Sequence, residues 1–432
     1  MRPAHVRERP MGMRYYASTS PGIGGRLKTH PTDFRVIEVP GLEVEPLDAN
    51  TGDYGYLIVE AITTGRDTHD MIDTLAGALG IHPGAVAVSG TKDANAVTTQ
   101  WVSIRHGSAD ELPAIEDVDL EPVGRLGRQL EFGDHAANRF EVTVHAPTHP
   151  EWRDAISIEL TTEDGSIVVP NFFGHQRFGA RRSITHVVGQ QLVHGDIEGA
   201  IRTYLTASSP HEPARTRLAR TEIEGALDVG DLEQAIAVTP GYLTYERRLL
   251  GAMRKGATVE DVLDALPWSL VRLFVHAVQS HAFNELVSER MRRGISLTEP
   301  QVGDTICFVD GEGQLDTERA QGVTESRLQT ARRHVARGRA VVVAPLLGPE
   351  TPPFEGPIGA MYDAVIAGLD LSRDGLDAVS VTDVSALWRP IALTTELEID
   401  ESGPTFSFEL PPGSYATVIM REFCKVDPVA MA

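Results

Sequence analysis

Lys92 and Asp93 stand side by side in the stretch Ser89-Gly90-Thr91-Lys92-Asp93-Ala94-Asn95, a glycine-bearing turn between two apolar runs, 86–88 and 101–104, that read as strands. A carboxylate held beside an ammonium stays ionised and can serve as a nucleophile or a base. Turns also carry Lys and Asp for solvation alone, so the pair gains meaning from its company. Asn138 lies two residues before Phe140 and shares its strand face, where an amide can hydrogen-bond a planar ligand or order a loop. Residues 171–179, Asn-Phe-Phe-Gly-His-Gln-Arg-Phe-Gly, mix amides, Arg177 and three phenylalanines, which is too polar for a plain core strand.

Other chemistries fail on spacing. The glycine turn runs into Thr-Lys-Asp and not Lys-Ser/Thr, so it is no phosphate loop. The fifteen histidines and two cysteines, Cys307 and Cys424, form no zinc spacing, and no nucleophile-elbow motif occurs. The expectation from spacing is a site with no metal.

The elements that must position these residues are mixed. Residues 34–39, 54–63 and 140–145 read as strands. Met71, Ile72, Leu75 and Leu79 mark a helix opened by Thr68 and closed by Gly80. Residues 183–206 and 267–293 read as long helices, 303–347 as a second strand-and-loop region followed by a proline-rich link, and 391–399 and 405–409 as strands. A helix or strand follows over 415–423. At 432 residues two domains are the default. Residues 1–24, Arg- and Pro-rich at their start, read as a disordered extension. No apolar run reaches membrane-spanning length and no disulfide framework is visible, which points to a cytoplasmic protein with no evident obligate protein partner.

Several of these segments resemble, in order, the TruD family of tRNA pseudouridine synthases. They are Leu27-Lys28 with Pro31-Thr32-Asp33-Phe34-Arg35-Val36, the Lys92-Asp93 turn, Asn138-Arg139-Phe140, the 171–179 segment, and Leu410-Pro411-Pro412-Gly413-Ser414-Tyr415-Ala416-Thr417. The resemblance spans nearly the whole chain. It implies an α+β fold: a pseudouridine-synthase catalytic domain with a mixed or antiparallel sheet, formed by residues 25–172 and 391–432 and interrupted by an α+β insertion domain at 173–390. It implies an enzyme that isomerises uridine, at position 13 of tRNA, by an Asp nucleophile and with no cofactor. Asp93 would attack C1′ of the ribose or C6 of the base, with Lys28 and Lys92 as electrostatic partners and Phe34 and Phe140 enclosing the base. Arg177, Gln279 and Asn284 of a second family-like motif (279–284), and Arg421, would brace loops or meet RNA. Two rivals stand beside this reading: an RNA-binding or remodelling protein in which catalysis is secondary, and a hydrolase using Asp93.

Net charge is −22, from 39 basic and 61 acidic residues, the wrong sign for a general RNA binder. Only Lys28, Lys92, Lys255 and Lys425 are lysines, leaving 35 arginines, a balance that resembles proteins adapted to molar intracellular salt. Three of the four lie in or close beside the motifs, where a compact ammonium is not replaced by arginine. Ordinary RNA binding weakens steeply with salt through counterion release. Here recognition should rest on stacking, hydrogen bonds and shape, so tRNA affinity and fold should hold or improve as KCl rises from about 0.1 M to 2 M. A binding titration across that range tests this; a steep monotonic loss of affinity with the protein folded at low salt is the opposing result.

Overall fold

The computed structural model describes residues 1–92, 94–179, 181–310, 314–348, 351–371, 388–400 and 404–431. Its centre is built by strand periodicity. Along Phe34–Pro40 every second side chain, Phe34, Val36 and Glu38, is buried, as when a strand turns one face to a core. This strand sits mid-way in an eight-stranded sheet ordered Leu397–Ile399, Thr405–Leu410, His135–Thr143, Phe34–Pro40, Val97–Arg105, Tyr56–Thr64, Val118–Leu126, with Val86–Val88 paired to Val97–Arg105. Its pairings are antiparallel except Phe34–Pro40 beside Val97–Arg105, where Arg35 faces Val97 in parallel register. Both ends of the chain thus feed one sheet, and the fold is α+β.

The 68–80 pattern forms the helix Thr68–Leu79, ended by Gly80 at φ 69°. Its cap is Asp67, whose carboxylate accepts from the His69 amide, and not Thr68. The Thr68 hydroxyl is used elsewhere: it accepts from the Lys92 amide at 2.9 Å. Residues 183–206, read as one helix, are two, Thr185–Val193 and Ile197–Thr206, separated at left-handed Gly195 and restarted by the Asp196 cap. The 391–399 run is also divided, since Ala392–Thr395 pairs with Ile167–Pro170 while Leu397–Ile399 pairs with Thr405–Leu410. Leu315–Gly322, Thr305–Val309, Ala340–Pro345 and Trp388–Pro390 make a separate four-stranded sheet. Residues Ala416–Cys424 resolve the 415–423 alternative as a helix.

The helix Trp268–Arg292 has 25 residues, roughly 37 Å of axis. Val271 and Phe274 near its start belong to a helical core with Val188, Ile201, Leu249 and Leu250, whereas Phe283, Leu286 and Val287 belong to the core under the main sheet. Gly189 lets Thr185–Val193 approach it closely, for a Cβ there would lie 2.1 Å from the Phe274 carbonyl oxygen. Among the described residues no helix is long and apolar enough to cross a membrane.

The expectation of a disordered 1–24 segment is corrected. Arg2–Pro3 pairs with Tyr15–Tyr16, and Met11, Met13, Tyr16 and Ile23 are buried. Asn284 donates to the Met11 carbonyl and Ser288 to that of Gly12. Glu8 is sealed against Arg421, whose guanidinium also meets Glu422 and the Tyr15 carbonyl. The segment has no helical or strand period of its own, so its order comes from long-range partners that local pattern does not reveal.

Glu159 clamps the end of this segment. Its carboxylate accepts from the Thr19 amide and hydroxyl and from the Ser20 amide and hydroxyl. Partial burial opposes ionisation, but these donors outweigh it and bring the pKa from 4.5 down to about 2. A depressed acid contributes stability that is present above its unfolded pKa and lost as pH falls through its folded one. The stability of the wild type should therefore decline between about pH 4.5 and 2 more than that of Glu159→Gln. The group is solvent-screened, so the difference should be about 1 kcal/mol or less. Denaturant unfolding at pH 6, 4 and 3 checks it.

Candidate active site

Val86–Val88 pairs with the far half of Val97–Arg105, Val88 opposite Val102, while the near half of the same strand pairs with the Phe34 strand, Ile37 opposite Thr99. The 89–96 connection therefore runs from Val86–Val88 back to the start of Val97–Arg105, the part that pairs with the Phe34 strand. Asp93 lies outside the described residues, but both its neighbours are described. The Lys92 ammonium donates to Glu38 Oε2 at 2.7 Å, and Glu38 Oε1 accepts from the Trp101 amide at 3.2 Å. The two side chains are 6% and 2% exposed, so Lys92 is no solvated turn residue. On the other side of the turn, Asn95 Nδ2 donates to the Lys28 carbonyl.

A cavity of about 500 Å³ opens against this turn. Ser89, Gly90, Thr91 and Lys92 form one wall, Phe34, Val36, Asn138 and Phe140 the floor, and Pro412–Thr417 with Gln176 the facing wall. Sheet register explains the floor: Val36 stands opposite Phe140, and Asn138 is one pleat along on the same face. Phe34 and Phe140 meet edge to face at 6.0 Å, and Phe140 stacks on Phe408 at 5.7 Å. The Lys28 ammonium lies 4.4 Å from the Phe34 ring centroid, an attraction between a cation and the ring's negative face. Ahead of Phe34, Asp33 accepts from the His30 amide at 2.7 Å and meets His145 Nε2 at 2.8 Å. Partial burial works against its ionisation, but these bonds prevail and hold its carboxyl below the usual range. Opposite, the Thr417 hydroxyl donates to Gln176 Oε1 at 3.2 Å.

His135 also lines the cavity. By strand alternation it would point away from the side of Asn138 and Phe140. The ladder is irregular between Val39 and Pro40, which face Ala137 and His135 and so pass over Ala136. Such a bulge re-aims side chains. The imidazole is buried, and that burial, with the Lys92 ammonium adding to it, pushes its pKa down despite Glu38.

Behind Tyr415, the Arg177 and Arg389 guanidinium groups lie over one ring, Phe173, at 5.5 and 4.1 Å. Arg389 bonds to Asn171 and to the Gly413 carbonyl; burial, with Arg177 nearby, brings its pKa down to about 10 despite Tyr415.

The sequence of residues 10–423 matches the family model described as tRNA pseudouridine synthase D (TruD). This chain belongs to the TruD family. A Halobacterium salinarum relative named "Probable tRNA pseudouridine synthase D" is 43% identical over 437 residues, covering 100% of both chains. A Natronomonas pharaonis relative of the same name is 43% identical over 439 residues, again covering 100% of both. A crystal structure titled "Putative tRNA pseudouridine synthase D (TruD)" from Methanosarcina mazei superposes with a TM-score of 0.83 at 31% identity, covering 98% of each chain.

In this TruD-family chain Phe34, Lys92, Asn138 and Phe140 come together at the cavity, with Lys28 against Phe34. Gln279, Asn284 and Arg421 do not join them. Gln279 donates to the Leu347 carbonyl, Asn284 holds both the amide and the carbonyl of Phe173, and Arg421 holds Glu8. All three are buried, and each is bonded to the chain's own backbone or to a buried carboxylate. Sequence reasoning missed Glu38, Ser89 and His135. Glu38 follows Phe34 by four residues, which places it on the Phe34 face and could have flagged it, whereas the bulge hid His135.

Lys92→Met should leave the Glu38 carboxylate sealed without its counter-charge, at a cost of about 3–5 kcal/mol. Adding Glu38→Gln should recover much of that loss. Urea unfolding of the two single variants and the double variant measures the coupling, and additive losses would show that the pair does not act as a unit.

Proposed function

We propose that the chain isomerises uridine to pseudouridine in tRNA, at position 13 as the family resemblance implies, with Asp93 as the nucleophile. The supporting observation is the convergence on one cavity of the turn flanking Asp93, the Phe34 and Asn138 strands, and the 412–417 turn. The reaction breaks the N1–C1′ bond and joins C5 to C1′; the proton on C5 is lost and N1 gains one. It needs an ionised carboxylate, an enclosure for an unstacked base, and no redox group. Lys92, fixed on Glu38, holds the turn. Lys28 carries a positive charge, and the Phe34 and Phe140 edges give the base an apolar floor.

In this reading residues 25–172 and 391–432 are the catalytic domain and 173–390 an insertion that reads the folded shape of the RNA, since A-form helices offer side chains little base information. Arg177, whose guanidinium lies over the Phe173 ring behind Tyr415, braces that wall, with contact to the RNA backbone as the alternative. Asp93→Asn should abolish pseudouridine formation in a tRNA transcript while leaving RNA affinity within a few fold and the fold intact. Conversion by this variant at a rate near wild type would remove Asp93 from the chemistry.

A further inference from the structure

A single exposed phenylalanine is commonplace, but Phe132 is exposed where exposure has a use. The segment 127–134 leaves the edge strand Val118–Leu126 and crosses the ends of three intervening strands to reach His135–Thr143. Its residues on both sides of Phe132 are tied down. Gln129 Nε2 donates to the Gly84 carbonyl at 3.1 Å, the Leu130 amide to Ser103 Oγ at 3.1 Å, and the Glu131 amide to Asp134 Oδ2 at 2.7 Å. Asp134 also takes both terminal nitrogens of Arg128 in a forked pair at 2.7 and 2.8 Å. Gly133, at φ 98°, donates its amide to the Ser89 carbonyl at 2.9 Å, which joins the segment to the strand end from which the Asp93 turn starts. Held in this frame, Phe132 is 74% exposed and yet lines the cavity together with Ser89, Lys92 and Phe140.

We propose that Phe132 is a stacking platform for a nucleotide that adjoins the target uridine in the RNA. The inference rests on the pseudouridine reading and adds a positioning residue to it. A uridine that enters the cavity leaves its stack, and each of its neighbours loses a covered face. Phe34 and Phe140, 3% and 8% exposed, belong to the floor beneath the entering base. A ring that lines the same cavity but shows most of its surface to solvent is placed for the next base along. Stacking on an aromatic ring tolerates any base and uses no counterion release, which suits a chain of net charge −22. A lysine or arginine at the rim would lose much of its pull as salt rises, whereas a phenyl ring keeps its own. The tethered frame adds to this, since a platform already held in place gives up little freedom when the base arrives.

The test uses the full chain and a folded tRNA transcript. Wild-type turnover is established first, and its absence would overturn the pseudouridine reading itself. Given turnover, Phe132→Ala should lower kcat/KM by about 5- to 100-fold with Tm unchanged, because the side chain is exposed in the free protein. Phe132→Trp should recover most of the rate, and Phe132→Leu, apolar but without a ring face, should recover little. The deciding comparison alters the RNA. With an abasic nucleotide in place of one neighbour of the target, wild type and Phe132→Ala should turn over at the same rate, while the same change at the other neighbour leaves their ratio intact. A wild-type rate in Phe132→Ala, full rescue by Phe132→Leu, a loss that only follows a fall in Tm, or an undiminished ratio with either neighbour abasic would each overturn the platform.

Discussion

An ammonium and a carboxylate sealed together inside the cavity wall set the conditions for the rest of the site. Lys92 and Glu38 are both removed from water, and such a pair is tolerated only when its geometry is good and its remaining oxygens are bonded. The second Glu38 oxygen takes the Trp101 amide, so the ion pair is also a strand-to-strand link. The backbone of Lys92 is pinned to Thr68 at the start of a helix. The turn carrying Asp93 is thus tied to the Phe34 strand, to the Val97 strand and to the 68–79 helix. Displacing the Phe34 strand would separate a buried charge from its partner, and displacing either of the others would strip a hydrogen bond from Glu38 or from the Lys92 amide.

The chain's few lysines follow the same logic. Lys28 and Lys425 both adopt left-handed backbone angles, 55° and 50°. Lys28 packs on an aromatic ring, and Lys425 donates to the Ser18 hydroxyl and the Ser20 carbonyl. Burial brings the Lys425 pKa down to about 8. Each of these positions asks for a small, directional cation in a confined space, which the wide guanidinium plane does not supply. Lys255 is exposed and has no comparable setting. Sparse lysine in an arginine-rich chain was therefore a readable signal of position, though not of partner.

What could be read from sequence was whatever repeats locally. The alternation of Phe34, Val36 and Glu38, the helix from Thr68 and the long helix from Trp268 all announce themselves by period and punctuation, and the motif residues Phe34, Asn138 and Phe140 fall together because strand parity places them so. What could not be read depends on partners far along the chain or on a broken period. Glu8 needs Arg421, Glu38 needs Lys92, and His135 needs one residue too many in its strand. The division of 183–206 at Gly195 was readable in principle, since a glycine followed by a capping Asp is a stop and a start.

The pairing of the first residues with the last helix has a kinetic side. Glu8 and Arg421 are 413 positions apart, and closing a loop of that length costs about 5 kcal/mol of chain entropy. Ribosomal synthesis proceeds at roughly 5–20 residues per second. Met11, Met13, Tyr16 and Ile23 must therefore wait tens of seconds after leaving the ribosome before the Ala416–Cys424 helix that completes their burial exists. Through that interval the nascent chain presents an apolar strip whose final burial does not yet exist.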